Sequence, residues 1–203
     1  MSSHVTRNRI AYGIFFLTIV LSGYFLENLY YLQVLTFIGI NTLLALALNM
    51  LMGYAGQISL GHAAFYGIGA YGTAILTVHY NFSPWLALPA AIAAAMLVAY
   101  VVGIPTLKLS GYYLGMGTLG FGMIVNILFR EWSSVTGGAS GFIGIPALEL
   151  GPVSFASGRN YFYLVWGCVL VGFIACQRII DSRIGRALRA IHDGENAAAA
   201  VGV

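Results

Sequence analysis

Long apolar runs separated by short polar punctuation dominate the chain. Six such stretches stand out, at roughly 10–26, 30–52, 58–78, 84–104, 111–129 and 160–177. Each is close to the ~20 residues that carry an α-helix across about 30 Å of hydrocarbon. The first is short for a span. The third starts inside a glycine-rich segment, so its beginning is expected to be unwound or re-entrant. The pattern predicts an all-α integral membrane protein with about six transmembrane helices, one of them broken or re-entrant.

The glycine-rich segment Gly53–Tyr71, GYAGQISLGHAAFYGIGAY, continues one apolar run and leads into the next, which places it at membrane depth. It nevertheless carries Gln57, Ser59 and His62, and glycines recur at 53, 56, 61, 67, 69 and 72. Backbone freed from regular helix is tolerated in a bilayer only where protein buries it or a watery cavity hydrates it. Polar groups there are costly and by default mark a pathway. The segment therefore points to passage of something through the membrane.

Composition agrees. The chain is 60 % hydrophobic and 7 % charged, with a mean hydropathy of +0.87, against about 25 % charged residues in soluble domains. Between Arg9 and Arg130 the charged side chains are Glu27 and Lys108. The net charge of +3 forms no continuous basic patch, which argues against a nucleic-acid partner. With all six stretches crossing and the N-terminus in the cytoplasm, Arg7, Arg9, Lys108, Arg178, Arg183, Arg186 and Arg189 fall inside, and Arg130 and Arg159 outside. That bias fixes the orientation. Tyr30, Tyr31, Trp85, Tyr112, Tyr113, Trp132 and Tyr161 suit interfacial belts. Pro84 is placed to open the fourth helix, and Pro105 to close or kink it. The basic N-terminal flank resembles that of a first anchor with no small-residue cleavage site after it, so it is expected to be retained. The outer segment 130–159, containing TGGASGFIGIP, predicts an ordered loop of tight turns rather than a helix. Cys168 and Cys176 sit about 12 Å apart along one predicted helix, too far to bridge, and read as apolar filler.

The tail Asp181–Val203, DSRIGRALRAIHDGENAAAAVGV, differs from everything before it. Ile184, Leu188 and Ile191 share one helical face, and Arg183, Arg186 and Arg189 spread over the rest. Asp193-Gly194 punctuates the pattern, and Glu195 with four alanines starts a second short helix. The chain thus divides into a transmembrane domain, 1–180, and a cytoplasmic segment, 181–203. From the pattern alone, the tail is either a surface for a soluble partner or a basic helix lying on anionic headgroups.

Three segments resemble the permease subunits of branched-chain amino-acid ABC importers of the LivM type. They are GYAGQISLGHAAFYGIGAY (53–71), LSGYYLGMGTLGFGMIV (109–125) with TGGASGFIGIP (136–146), and IGRALRAIHDGENAAAAVG (184–202), whose Ala197-Ala198-x-x-x-Gly202 ending is similar to the general importer loop motif. The likeness spans most of 40–203 in order. It implies a membrane subunit moving branched-chain or other hydrophobic amino acids across a bacterial inner membrane. Its implied partners are a second related permease, two ATPase subunits and an extracytoplasmic binding protein. It also implies that Gly185, Arg186, Arg189, Asp193, Glu195, Ala198 and Gly202 form a coupling helix and loop docked on the ATPase. Family permeases continue beyond this loop with further helices, so the chain is expected to be an N-terminal fragment lacking part of the pore.

An importer permease needs a polar path, two arrangements of it and a mechanical link to ATP hydrolysis. Discontinuous helices offer free N–H groups and carbonyls to a zwitterion, which makes Gln57, Ser59 and His62 candidates for the path, within a signature that includes Gly61. Phe65, Tyr66 or Met116 would meet an apolar side chain. Each has a plainer alternative. His62 donates to a neighbouring helix carbonyl, Ser59 caps a helix entering at Leu60, and Gln57 satisfies loop carbonyls. Glycines 67, 69 and 72 allow close helix packing. Asn49 and Asn126 are expected to bond between helices. Arg189 and Asp193, at i and i+4, support their own helix.

No GxxxxGK[ST] motif occurs, so no enzyme is expected here and no cofactor is assigned to this chain, with Mg-ATP on the partner subunit. His4, His62, His79 and His192 are scattered without ligand spacing, and no metal is expected. Competing functions are the same machine with urea or short amides as cargo, an ATP-independent transporter, and a purely structural membrane subunit. No acidic residue lies within a span to relay protons, which counts against the second.

Overall fold

The computed structural model describes residues 2–26, 28–109, 111–150, 153–156, 158–194 and 198. Eight helices follow one another among them: α1 (Ser2–Phe25), α2 (Leu29–Asn49), α3 (His62–Val78), α4 (Pro84–Thr106), α5 (Tyr112–Glu131), α6 (Ser133–Thr136), α7 (Gly158–Asp181) and α8 (Arg183–Asp193). Each of the six apolar stretches coincides with a long helix. Four segments are long and apolar enough to cross a membrane: Leu29–Tyr54, Pro84–Thr106, Tyr112–Glu131 and Gly158–Asp181. The protein is an all-α, multi-pass membrane protein. A two-residue ribbon is its one departure among the described residues, with β1 (Glu149–Leu150) antiparallel to β2 (Val153–Ser154).

The chain forms two compact units, and the first comprises residues 1–46 and 149–178. Its core is Leu32, Phe162, Trp166 and Val169, with Phe16, Ile19, Leu26, Leu35 and Leu43 packed around them. Close approach is bought with glycine: a Cβ on Gly39 would stand 2.8 Å from Val165 Cγ1, and one on Gly23 2.6 Å from the Phe162 ring. Backbone carbonyls at the end of α1 are taken up by α7, as the Tyr163 hydroxyl donates to Val20 (3.3 Å) and Arg159 to Leu26 (3.4 Å).

The second unit holds residues 47–148 and 179–203. α3 and α4 form an antiparallel hairpin across 79–83, where Asn81 takes a positive φ of 53°. Their seam is built of small residues, with Ala74, Ala87 and Ala91 buried and a Cβ on Gly72 only 3.3 Å from that of Ala91. Such residues let backbones meet where lipid removes any hydrophobic drive between helices. Pro84 does open α4, and the helix ends one residue after Pro105. The segment 130–159 holds the expected tight turns and, against expectation, one helical turn as well. After α5 comes the single turn α6 and then a 3-10 turn at Gly138–Ser140, both organised by Thr136. Its hydroxyl donates to Phe129 O (2.7 Å) and Trp132 O (2.8 Å) and accepts from Gly138 N–H (3.2 Å). Positive φ at Gly137, Gly138, Gly141 and Gly144 explains why TGGASG is so rich in glycine.

In-span hydroxyls bond their own helices, as a bilayer demands. Thr36, Thr42, Thr73, Thr77, Thr106 and Thr118 each donate to a carbonyl three or four residues back. Large apolar side chains such as Phe37, Leu86, Leu97, Met123 and Val171 stay exposed on the helix surfaces. That inversion of the soluble pattern is what a hydrocarbon solvent favours.

Candidate functional site

α2 does not simply stop. Its last turn widens into a π-turn over Met50–Tyr54, a local expansion that recurs at functional sites. Asn49 sits directly over Gly53, where a Cβ would collide with its Oδ1. Gln57 N–H reaches back to Leu51 O at 3.1 Å. The backbone then runs without helical structure until α3 opens at His62.

The expected break is therefore present, with corrected edges. Helix resumes at His62 and not near Leu60, and its N-cap is Gly61 with no side-chain cap bond. Ser59 is not the cap of this helix. The link is held from outside instead: Leu60 N–H donates to Thr118 Oγ1 at 3.0 Å, and the Thr118 hydroxyl donates to Gly115 O at 2.9 Å. Gly115, Thr118 and Gly122 lie on one face of α5. A Cβ on Gly115 would stand 3.1 Å from Ile58 Cγ2, one on Gly122 3.2 Å from Gly61 Cα, and one on Gly61 would strike the Thr118 carbonyl. The broken segment is thus pressed onto the bare backbone of α5. Sequence reasoning missed Thr118, whose only local sign is a hydroxyl between two glycines.

His62 Nδ1 is buried with no hydrogen-bond partner among the described residues, and its ring meets Phe65 edge-on at 6.3 Å. That nitrogen therefore makes no bond to a neighbouring carbonyl among those residues. Beside the break a groove of about 780 Å³ runs between α3 and α5. It begins at Leu60 and Gly61, passes Ala64, Gly67 and Gly122, and ends near Asn126, Arg130 and Gly138. Tyr71 and Phe129 stack in its wall, their centroids 4.2 Å apart. Of the path candidates only Gly61 lines this groove, while Gln57, Ser59, His62 and Tyr66 lie outside its wall. Tyr66 and Met116 are exposed. Asn126, expected to bond between helices, lines the groove. Gly67 faces the Phe129 ring and Gly72 the Ala91 methyl, but Gly69 faces open space, so it is no packing glycine.

In the same unit, α8 follows the bend at Ser182. Ser182 caps it, accepting from Ile184 N–H at 3.1 Å. A Cβ on Gly185 would collide with the carbonyls of Ile179 and Ile180, so glycine alone permits this turn. Arg189 spans the corner, donating through Nε to Gly185 O (3.2 Å) and through a terminal nitrogen to Ile180 O (3.0 Å). A cation over the carbonyl end of a helix is favourably placed. Arg189, Arg186 and Asp193 are all exposed, but Arg189 bonds two backbone carbonyls. α8 ends at Asp193, as the punctuation predicts, with Gly194 N–H on Ala190 O. Ala198 is helical and buried, its N–H on Gly194 O at 2.9 Å. Glu195 and Gly202 lie outside the described residues. α8 also touches the break, as Gly56 (φ 69°) packs against His192.

Comparison with known proteins places these features. A family described as "Branched-chain amino acid transport system / permease component" matches residues 30–203. The chain is 32 % identical over 184 residues to the high-affinity branched-chain amino acid transport system permease protein LivM of Escherichia coli, covering 79 % of this chain and 43 % of that protein. The LivM of Salmonella typhimurium matches with the same identity and coverage. A probable branched-chain amino acid transport permease protein LivM of Methanocaldococcus jannaschii is 25 % identical over 207 residues, covering 84 % of this chain and 59 % of that protein. The chain thus spans about 43 % of the length of the first two relatives. No solved structure matches it. The broken helix, the glycine turns at 137–144 and the capped α8 all fall inside the matched region, and the chain belongs to the family of branched-chain amino acid transport system permease components.

Proposed function

We propose that this chain is the transmembrane part of an ABC importer permease, carrying branched-chain or other hydrophobic amino acids across a bacterial cytoplasmic membrane. Its N-terminus and residues 181–203 face the cytoplasm, in keeping with the Lys and Arg bias. Its partners are a second permease subunit, two ATPases and an extracytoplasmic binding protein. ATP is hydrolysed on the ATPase subunits and not here.

The observation that carries the reading is the break at Ala55–Gly61, between two apolar helices and pinned to α5 by the Leu60–Thr118 bond. An unwound segment leaves backbone groups free to meet the ammonium and carboxylate of an amino acid. The orphan Nδ1 of His62 adds a polar atom at the same place. The groove beside the break offers small and apolar walls, which suit an aliphatic side chain. On the cytoplasmic side, α8 presents Arg183, Ile184, Arg186 and Asp193 outward. Those charges would set the register and on-rate of an ATPase partner more than its affinity.

The test is co-purification of the permease with its neighbouring ATPase, comparing Arg186→Glu and Glu195→Lys, followed by leucine uptake in proteoliposomes. Release of the ATPase by both substitutions, from a permease that stays folded, supports the reading. Leucine uptake without any ATPase subunit would sink it, and uptake of urea in place of leucine would change the cargo while keeping the machine.

A further inference from the structure

We infer that His192 is a positioning residue that links α8 directly to the broken helix through Gly56, so that movement of α8 acts on the break without first moving α7. The inference rests on the importer reading and goes beyond it, because that reading says only that α8 meets a partner.

Three observations carry it. First, α8 packs on the π-turn of Met50–Tyr54 and on the residues just after it, within one compact unit. Second, the contact is backbone against ring. A Cβ on Gly56 would stand 2.7 Å from His192 Nδ1 and 3.4 Å from its Cα, so the imidazole occupies the space any larger residue would need. Third, Gly56 is the point at which the chain turns out of the π-turn, with φ at 69°. L side chains rarely adopt that conformation, so both the turn and the contact require glycine. The next N–H, that of Gln57, is the one that closes back on Leu51 O.

The rest of α8 is arranged to keep His192 in place. Arg189, one turn earlier, ties the helix to Ile180 O and Gly185 O, and Ser182 caps its start. α8 is therefore a short rigid arm whose first turn is fixed at the α7 corner and whose last turn rests on the break. A displacement imposed on its exposed face reaches Gly56 through one side chain. Beyond Gly56 the link is held at Leu60 by Thr118. Strain delivered at one end against a fixed point at the other must be taken up between them, at Gln57–Ser59, which include two of the path candidates.

The experiment uses the complete assembly with Cys168 and Cys176 changed to serine and a probe cysteine at Ser59. Thiol labelling of Ser59→Cys is followed with and without Mg-ATP, alongside ATPase co-purification and uptake per ATP hydrolysed. In the parent, ATP is expected to change the labelling rate. In His192→Ala the ATPase stays bound and still hydrolyses ATP, but labelling no longer responds and uptake per ATP falls about tenfold, the scale of a contact-pair interaction. His192→Gln, which keeps a planar group of similar reach, retains most of the coupling. Gly56→Ala with His192→Ala should be no worse than Gly56→Ala alone, because the methyl then occupies the vacated space. His192 is exposed, so its truncation leaves no core cavity and the folded assembly survives. An unchanged labelling response and unchanged uptake in His192→Ala would overturn the link and leave the importer reading standing. ATPase release by His192→Ala would also overturn it, by placing the residue in the docking surface. Failure of the unsubstituted assembly to bind ATPase overturns the importer reading itself, and the link with it.

Discussion

Gly61→Ala tests the central packing claim with one methyl group. The added Cβ would strike the carbonyl oxygen of Thr118, lie 2.9 Å from its carbonyl carbon and sit 3.4 Å from Gly122 N. All three are backbone atoms of α5 and cannot swing aside. Overpacking a fitted site costs about 1–3 kcal/mol. Pushing the link off α5 also breaks the Leu60–Thr118 bond and strands a donor, worth about another 1–3 kcal/mol. The expected loss is therefore about 2–6 kcal/mol. Gly69→Ala, on the same helix, is the matched control. Nothing lies within 4 Å of its Cβ position, and Ala in place of a helical Gly gains up to about 1 kcal/mol. Thermal unfolding of the purified protein in one detergent, followed by tryptophan fluorescence, should separate the two. At about 2–4 °C per kcal/mol for chains of this size, Gly61→Ala melts at least about 4 °C below the parent, and Gly69→Ala melts at or above it. Equal midpoints for the two variants would refute the claim that the break is pressed onto α5.

Other substitutions probe the remaining contacts. Thr118→Val keeps shape but leaves Leu60 N–H unpaired, and should cost about 1–3 kcal/mol in the same melt; a loss below about 0.5 kcal/mol would mean the bond is dispensable. Gly185→Ala should push α8 off the α7 corner, since its methyl would meet the carbonyls of Ile179 and Ile180, and ATPase co-purification should drop while the melting midpoint of the spans stays within about 2 °C. Arg189→Gln removes the clamp on Ile180 O and should weaken ATPase binding less than Arg186→Glu does, because Arg189 is turned to backbone and Arg186 to solvent; the reverse order in a pull-down titration would contradict the assignment. Tyr71→Leu removes the stack on Phe129 in the groove wall and should raise the half-saturating leucine concentration for uptake several-fold; unchanged uptake kinetics would move the path away from this groove.

How much of this was legible in the sequence depends on the range of the interactions. Helix positions followed from run length, because a bilayer needs about 20 apolar residues whatever surrounds them. Pro84 at the start of α4 and Asp193 at the end of α8 are local signals and fell where expected. The start of α3 did not, because it is set by a bond from Leu60 to Thr118, 58 positions away, rather than by Ser59 beside it. The tail shows the same limit. Ile184, Leu188 and Ile191 do share a face, yet Ile184 is 62 % exposed while Gly185 is buried. The corner with α7 decides that, not periodicity. His192 was weighed only as a metal ligand lacking partners. Its contact with Gly56 joins segments over a hundred residues apart, and no spacing rule could announce it.

The two long-range contacts also constrain how the break could work. A purely structural interruption would need its backbone groups satisfied, and a single anchor on α5 could do that. Here the link is held at both ends by different helices, α5 at Leu60–Gly61 and α8 at Gly56, and the two anchors differ in kind. The α5 anchor is a hydrogen bond plus bare backbone contact inside the spans, where an unmet N–H is expensive. The α8 anchor is an exposed imidazole resting on a glycine, a packing contact with no hydrogen bond. One bonded and one packed anchor on a short glycine-bounded segment is the arrangement that lets α8 alter the break without unpacking the helices around it.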